Sequence, residues 1–312
     1  MTERAGDRNG APAGPPEPGL LDAAATPLAA LLRLFDLERL DGDRFRGVAP
    51  PAGRRIYGGL VVAQALVAAQ RCVEGREPHS LHAYFLLPGD PYAPILYDVE
   101  RLRDGGSFST RRVVAWQHER AIFTLAASFQ AAEEGLEHMA PVPDVPAPEA
   151  LPSEADLLAR HAARLSEPVR RFLASERPIE TRPVDPEGYF RREPSSAGLN
   201  IWLRASGRLP DNPAVHRAML AYMSDLTLLD TALMRHGRIV MDPGLQVASL
   251  DHALWLHRPF RADDWLLYAQ ESPNACAGRG LGRGAFYARD GRLVASSMQE
   301  GLMRPLKPDG GR

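Results

Sequence analysis

Asp225 is the residue whose setting first asks for a chemical explanation. It stands in "YMSDLTLLDTALMRHG", residues 222–237, beside Leu226, Leu228, Leu229, Ala232, Leu233 and Met234. That spacing predicts a buried helix over 225–236 with a carboxylate at its mouth. Such a carboxylate can cap the helix or act on a bound reactant. Ser224 can serve as the cap, leaving Asp225 as a first-turn anion. There is no capping box, because Thr227 stands three residues beyond Ser224. A helix N-terminus favours the charged carboxylate, so a lowered pKa and a weak base are expected.

Other reactive patterns are thin. His252 and His257 are five apart in a predicted strand, so they face opposite sides and suit packing or an interface. HExxH is absent, and no metal site is expected. Cys72 and Cys276 form no CxxC pair and read as two small buried apolar side chains. "GRGLGRG" (278–284) imitates a phosphate loop but is predicted to start a strand. The GxSxG elbow of α/β-hydrolases is missing.

The bulk properties exclude whole classes. The formal net charge is -2 over 312 residues, with both signs dispersed, so neither nucleic acid nor a membrane surface is an expected partner. An apolar fraction of 45% supports a large core. The opening "MTERAGDRNGAPAGPPEPG" has no apolar h-region and reads as a disordered tail over 1–25; "KPDGGR" closes a flexible tail over 307–312. A cytoplasmic protein without a membrane span is expected.

The elements that must position Asp225 come in two similar series. "TPLAALLRLFDLERL" carries helical spacing, with Thr26 and Pro27 at the start. "YGGLVVAQALVAAQRCV" (57–73) is apolar nearly all round, the mark of a buried helix, and two glycines at its start let other backbone come close. Strand-like runs follow at 80–87, 94–103, 108–117 and 120–130, with turns at Asp104-Gly105-Gly106 and His118-Glu119. A Pro-rich extended stretch and surface helices occupy 136–190. The helix at 225–236 then precedes runs at 245–256, 264–272, 280–289 and 292–303. His82 aligns with His252 at an offset of 252 − 82 = 170, and Gln130 with Gln299 at 299 − 130 = 169.

A long antiparallel sheet around one apolar helix is the hotdog architecture. The expected fold is therefore α+β, a double hotdog with two tandem units at 26–135 and 191–306, packed as a pseudo-dimer with a joined sheet.

Order and spacing across both halves carry a resemblance. "YGGLVVAQAL" (57–66), "HAYFLLPGD" (82–90), "YDVERLRDGGSFSTRRV" (97–113), "ASFQA" (127–131), "YMSDL" (222–226), "LDHALWLHRPF" (250–260), "DWLLYAQES" (264–272) and "VASSMQEGLMR" (294–304) resemble the acyl-CoA thioesterase II family. These are double-hotdog thioesterases of medium- and long-chain acyl-CoA. The resemblance implies acyl-CoA hydrolysis without a cofactor, in a dimer or tetramer. It implies a water held by an Asp, a Thr or Ser, and a Gln, which fall on Asp225, Ser249 and Gln299. Many relatives carry threonine at Ser249; serine keeps the hydroxyl with a freer rotamer. Leu60 and Leu87 depart from a common glutamine and an occasional arginine. Gly58, Gly59, His252, Gly278 and Gly280 become candidates for substrate contact. Oxyanion donors are expected at the Gly58–Gly59 helix start or at the helix start near 225.

Two rivals differ in class. A hotdog hydratase needs a helix-borne Asp and His, but Asp225 and Asp230 have no histidine before His236. A non-catalytic acyl-CoA-binding protein would not need Asp225, Ser249 and Gln299 together.

Overall fold

The computed structural model describes residues 25–163, 167–190, 193–195 and 198–306. The tails expected over 1–25 and 307–312 lie outside these residues, apart from Ala25. The first series runs α1 (Pro27–Phe35), β1 (Glu38–Arg39), β2 (Arg44–Gly47), α2 (Gly58–Gln70), β3 (Glu77–Phe85), β4 (Ile95–Asp104), β5 (Phe108–Gln117) and β6 (Arg120–Gln130). Thr26 caps α1, accepting from the Ala29 N–H at 3.3 Å, and Pro27 sits where no N–H is needed. After a connecting stretch come α3 (Glu154–His161), α4 (Glu167–Ala174), β7 (Ile179–Pro183), α5 (Pro186–Phe190), β8 (Leu199–Ala205), α6 (Pro213–Met223) and α7 (Asp230–Met234). The chain ends in β9 (Leu245–Ser249), β10 (Asp251–Leu256), β11 (Leu266–Cys276), β12 (Arg279–Ala288) and β13 (Leu293–Pro305).

One antiparallel sheet holds all these strands, in the order β1-β2-β4-β5-β6-β3-β10-β13-β12-β11-β8-β7, with β9 added to β13. The order reads alike from either end. At the centre His82 faces Ala253 and Ala83 faces His252, two pairs that exchange under the 170-residue offset. The junction is thus self-complementary, as in an isologous dimer, but within one chain. The joined sheet and double-hotdog architecture expected from sequence are both present.

The offset does not hold to the end of the repeat. Ala126 faces His82, and the β10–β13 register running from Met298 at Ala253 puts Gln299 at His252. Ala126, not Gln130, is therefore the counterpart of Gln299. The cause is local: β5 turns into β6 through His118 and Glu119 alone, whereas β12 reaches β13 through a longer turn. His118 and Glu119 both have positive φ (48° and 59°), the twist a two-residue hairpin demands even without glycine.

The helix predicted over 225–236 is replaced by α6. Asn212 caps α6, accepting from the Ala214 N–H at 3.0 Å, and Pro213 begins it. Its end comes at Ser224, whose hydroxyl donates to the Ala221 carbonyl at 2.9 Å. His216 and Arg217 interrupt the apolar pattern and disguise α6. His216 is nonetheless buried, because Nδ1 accepts from the Ala262 N–H at 3.0 Å. The apolar run at 226–234 makes only turns and the short α7, and it lies flat on β12. A Cβ at Gly282 would stand 2.5 Å from the Leu228 carbonyl, and one at Gly280 would stand 2.7 Å from Ala232. "GRGLGRG" therefore contains alternating glycines that admit this segment. No such segment follows α2, which passes to β3 within a few residues.

The stretch expected to be a linker also holds β7, paired with β8. Its Pro-rich part straps the outer face of the second-half sheet. Trp202 Nε1 donates to the Pro146 carbonyl at 2.9 Å, and Val145 and Leu151 pack on Trp202, Trp265, Leu267 and Tyr287. Cys72 is buried as expected, but Cys276 is exposed, because it closes the β11–β12 hairpin; both are free thiols.

α2 is buried on every face, and its one internal polar residue does structural work. Gln64 donates to the carbonyls of Leu34 (2.7 Å) and Val48 (3.0 Å) and accepts from the Tyr97 hydroxyl at 2.7 Å. Gln64→Leu strands all three groups and is expected to cost about 2–4 kcal/mol of unfolding free energy, read from the shift in urea midpoint.

Candidate active site

The start of α2 abuts the end of α6. A Cβ at Gly59 would stand 2.5 Å from the Tyr222 carbonyl, and one at Gly58 would stand 2.8 Å from Asp225 Oδ2. The Tyr57 hydroxyl donates to that same carbonyl at 2.9 Å. Both glycines are required because backbone and carboxylate of the second half occupy the space of a side chain in the first.

Asp225 therefore does sit at a helix mouth, but the helix is α2, from the other half. The Gly59 N–H donates to its carboxylate. Gln299 Nε2 donates to Oδ1 at 2.6 Å. Ser249 Oγ stands 3.5 Å from Oδ1, too far for a strong bond, so the hydroxyl keeps its capacity for another partner. Gln299 is fully buried, and its Oε1 has no protein partner among the described residues.

The expected lowering of the Asp225 pKa is reversed. Burial raises it to about 6, outweighing the hydrogen bonds from Gln299, Gly59 and Ser249. A narrow face of the carboxylate opens into a cavity, while protein surrounds it elsewhere.

That cavity has a volume of about 460 Å³ and lies between the halves. Tyr57, Gly58, Val61 and Phe123 come from one side; Asp225, Leu226, Leu229, Asp230, Val247 and Ser249 come from the other. Arg55 reaches across its rim, donating to the Val247 carbonyl at 2.8 Å. Gln299 supports Asp225 from behind the lining. Tyr57 was not singled out by sequence reasoning, and Asp230 was weighed there only for the Asp and His pair of a hydratase.

The remaining substrate-contact candidates lie elsewhere. Gly278 has φ 73° in the β11–β12 turn, and Gly280 is covered by Ala232 and Met303. Neither lines the cavity. His252 is buried and does not line the cavity either. Since Ser224 donates to Ala221, His252 Nε2–H must donate to Ser224 Oγ, at 2.8 Å. Burial lowers the pKa of His252 to about 4, so it is neutral. It acts on the turn that carries Asp225, not on the cavity.

The first half has no equivalent site. Counting two residues from each helix end sets Cys72 against Asp225. The fully buried Arg111 closes that place, donating twice to the Cys72 carbonyl (3.0 and 3.1 Å) and to Asp104 at 2.7 Å. Burial pushes the Cys72 thiol up to about 11.

Comparison with known proteins bears on this arrangement. A family described as acyl-CoA thioesterase N-terminal domain matches residues 45–130, and one described as acyl-CoA thioesterase matches 171–302. Acyl-CoA thioesterase 2 of Haemophilus influenzae is 43% identical over 276 residues, 88% of this chain and 96% of that protein. The chain belongs to the acyl-CoA thioesterase family. Among solved structures, an acyl-CoA thioesterase II from Mycobacterium marinum aligns with TM-score 0.74 at 42% identity, covering 89% of this chain and 99% of that one. A hot dog fold protein from Alicyclobacillus acidocaldarius aligns with TM-score 0.72 at 21% identity, over 89% and 99% of the two chains, a likeness of fold. This family member is a thioester hydrolase. Among its described residues no helix is long and apolar enough to cross a membrane, and no cluster of three metal-ligating side chains occurs.

A raised carboxylate pKa has a stability consequence. The folded state binds the Asp225 proton up to about pH 6, whereas the reference value is 3.8. Stability contributed by this group is therefore greatest in acid and falls as pH rises between those values. Asp225→Asn removes the penalty and is expected to stabilise the fold by about 1–3 kcal/mol at pH 8 and by less at pH 4. Urea midpoints of both proteins at the two pH values check this.

Proposed function

We propose that the chain hydrolyses medium- to long-chain acyl-CoA to fatty acid and CoA by direct attack of water. The observation that carries this reading is the buried Asp225 carboxylate, joined by Gln299 and flanked by Ser249, at an apolar cavity. Asp225, held from behind the wall by Gln299, accepts from the water, while the Ser249 hydroxyl completes its orientation. As the water oxygen bonds to the thioester carbon, Asp225 takes its proton. A pKa of about 6 suits it to that task at neutral pH.

The developing oxyanion is met by backbone N–H at the start of α2, where Gly58 faces the cavity. The alternative donor, a helix beginning at 225, does not exist. The C–S bond then breaks, and CoA leaves as a thiolate, which needs little acid assistance because a thiol pKa is only about 8.5. That thiolate collects the proton held by Asp225 or one from solvent.

Support for longer chains comes from a second apolar cavity of about 370 Å³. It shares Arg55, Ile56 and Tyr57 with the first and is floored by Leu31, Leu34 and Leu60. Support from relatives lies in their names: the Haemophilus influenzae protein is called an acyl-CoA thioesterase.

The test is thiol release from acyl-CoAs of graded length. Asp225→Asn is expected to lower kcat about a thousandfold or more. Ser249→Ala should lower it about tenfold, and Ser249→Thr should retain activity. The wild-type kcat/KM should decline as pH falls through about 6, when Asp225 gains a proton. Wild-type binding of acyl-CoA without thiol release would establish the binding-protein alternative instead.

A further inference from the structure

Hydrolysis as described leaves one cavity carboxyl unused. Asp230 lies on the inserted segment after α6 and lines the cavity with Asp225 and Ser249. Its neighbours in the wall are Leu226, Leu229, Val240 and Val247. It accepts one hydrogen bond, from the Val240 N–H, and no cation faces it among the described residues. Burial raises its pKa to about 7, so near neutrality it can donate as well as accept.

A plain hydrocarbon chain offers such a group nothing, and burying it against one is unfavourable. Holding the Val240 N–H engages only part of its capacity. A second carboxylate on the substrate would meet like charge from Asp230. A substrate cation would have to enter between leucine and valine side chains. A hydroxyl is neutral, gives one donor and one acceptor, and leaves the rest of the chain compatible with these walls.

We propose that Asp230 is a specificity-determining residue that hydrogen-bonds a hydroxyl on the acyl chain, favouring hydroxyacyl thioesters over unsubstituted ones of equal length. This rests on the acyl-CoA hydrolase reading and adds a substrate class to it. A site built to pair a hydroxyl discriminates against the analogue that lacks it, because its own polar group is then left unpaired.

The experiment compares kcat/KM for dodecanoyl-CoA, β-hydroxydodecanoyl-CoA and ω-hydroxydodecanoyl-CoA, using the full chain and following thiol release. Wild type is expected to favour at least one hydroxylated chain by about tenfold. Asp230→Leu should erase that preference, and Asp230→Asn, which keeps hydrogen-bonding groups of the same size, should keep most of it. The proposal is overturned if wild type shows no preference. It is equally overturned if Asp230→Leu leaves the ratios unchanged, or lowers kcat/KM alike for all three substrates. The last result would assign Asp230 to holding the Val240 loop or to the amides of the CoA arm. Thiol release from dodecanoyl-CoA by wild type separates the two readings. Its absence with all three substrates sinks the hydrolase reading itself, whereas release with unmoved ratios sinks only the role of Asp230.

Discussion

The first turn of α2 rests against the last turn of α6 through two glycines, and this contact governs the position of Asp225. Gly59 meets the Tyr222 carbonyl, Gly58 meets the carboxylate itself, and Tyr57 closes the contact by a hydrogen bond. The partially positive end of one helix thus faces the partially negative end of the other, with a carboxylate between them. The sheet arrangement follows from the same need. Pairing β3 with β10 places the two wrapped helices side by side, so that the halves can share one cavity.

The carboxylate is held against its own solvation. Water is largely excluded around Asp225, and the hydrogen bonds it accepts do not make up the loss. What fixes the turn is a layer of neutral polar groups below it. His252 supports Ser224 from one side. The Tyr268 hydroxyl donates to the Ser224 carbonyl at 2.8 Å and lies 2.8 Å from Ser297 Oγ. Tyr268 in turn stacks on Phe286, with ring centroids 3.8 Å apart. These groups carry no charge of their own, so they position Asp225 without discharging it.

The strands were the legible part of the fold. Their alternation and turn residues located β4 to β6 and β11 to β13 to within a few residues, because half-buried strands write burial into every second position, whereas the single run at 245–256 breaks at Leu250 into β9 and β10. α6 was hidden because His216 and Arg217 break its apolar pattern, while the segment after it is apolar for a different reason, contact with β12. Asp225, Ser249 and Gln299 were found through resemblance. Their meeting could not be read from local spacing, since it depends on strand register and on a helix from the other half. The Asp225 pKa was misjudged for that same reason: burial at an interface between halves leaves no mark on the surrounding sequence. Gly280 offered a motif whose cause was likewise remote, namely the segment laid across it.

Arg111 and the inserted segment show what covalent fusion permits. In a symmetric dimer of identical chains every substitution enters both copies, so a change that closes one site closes its twin. Here the place equivalent to Asp225 is sealed by a guanidinium while its partner keeps a cavity and an additional wall. The two halves need not change alike: one has closed the place that the other keeps open onto the cavity they share. A single peptide link has turned a twofold symmetric object into a division of labour.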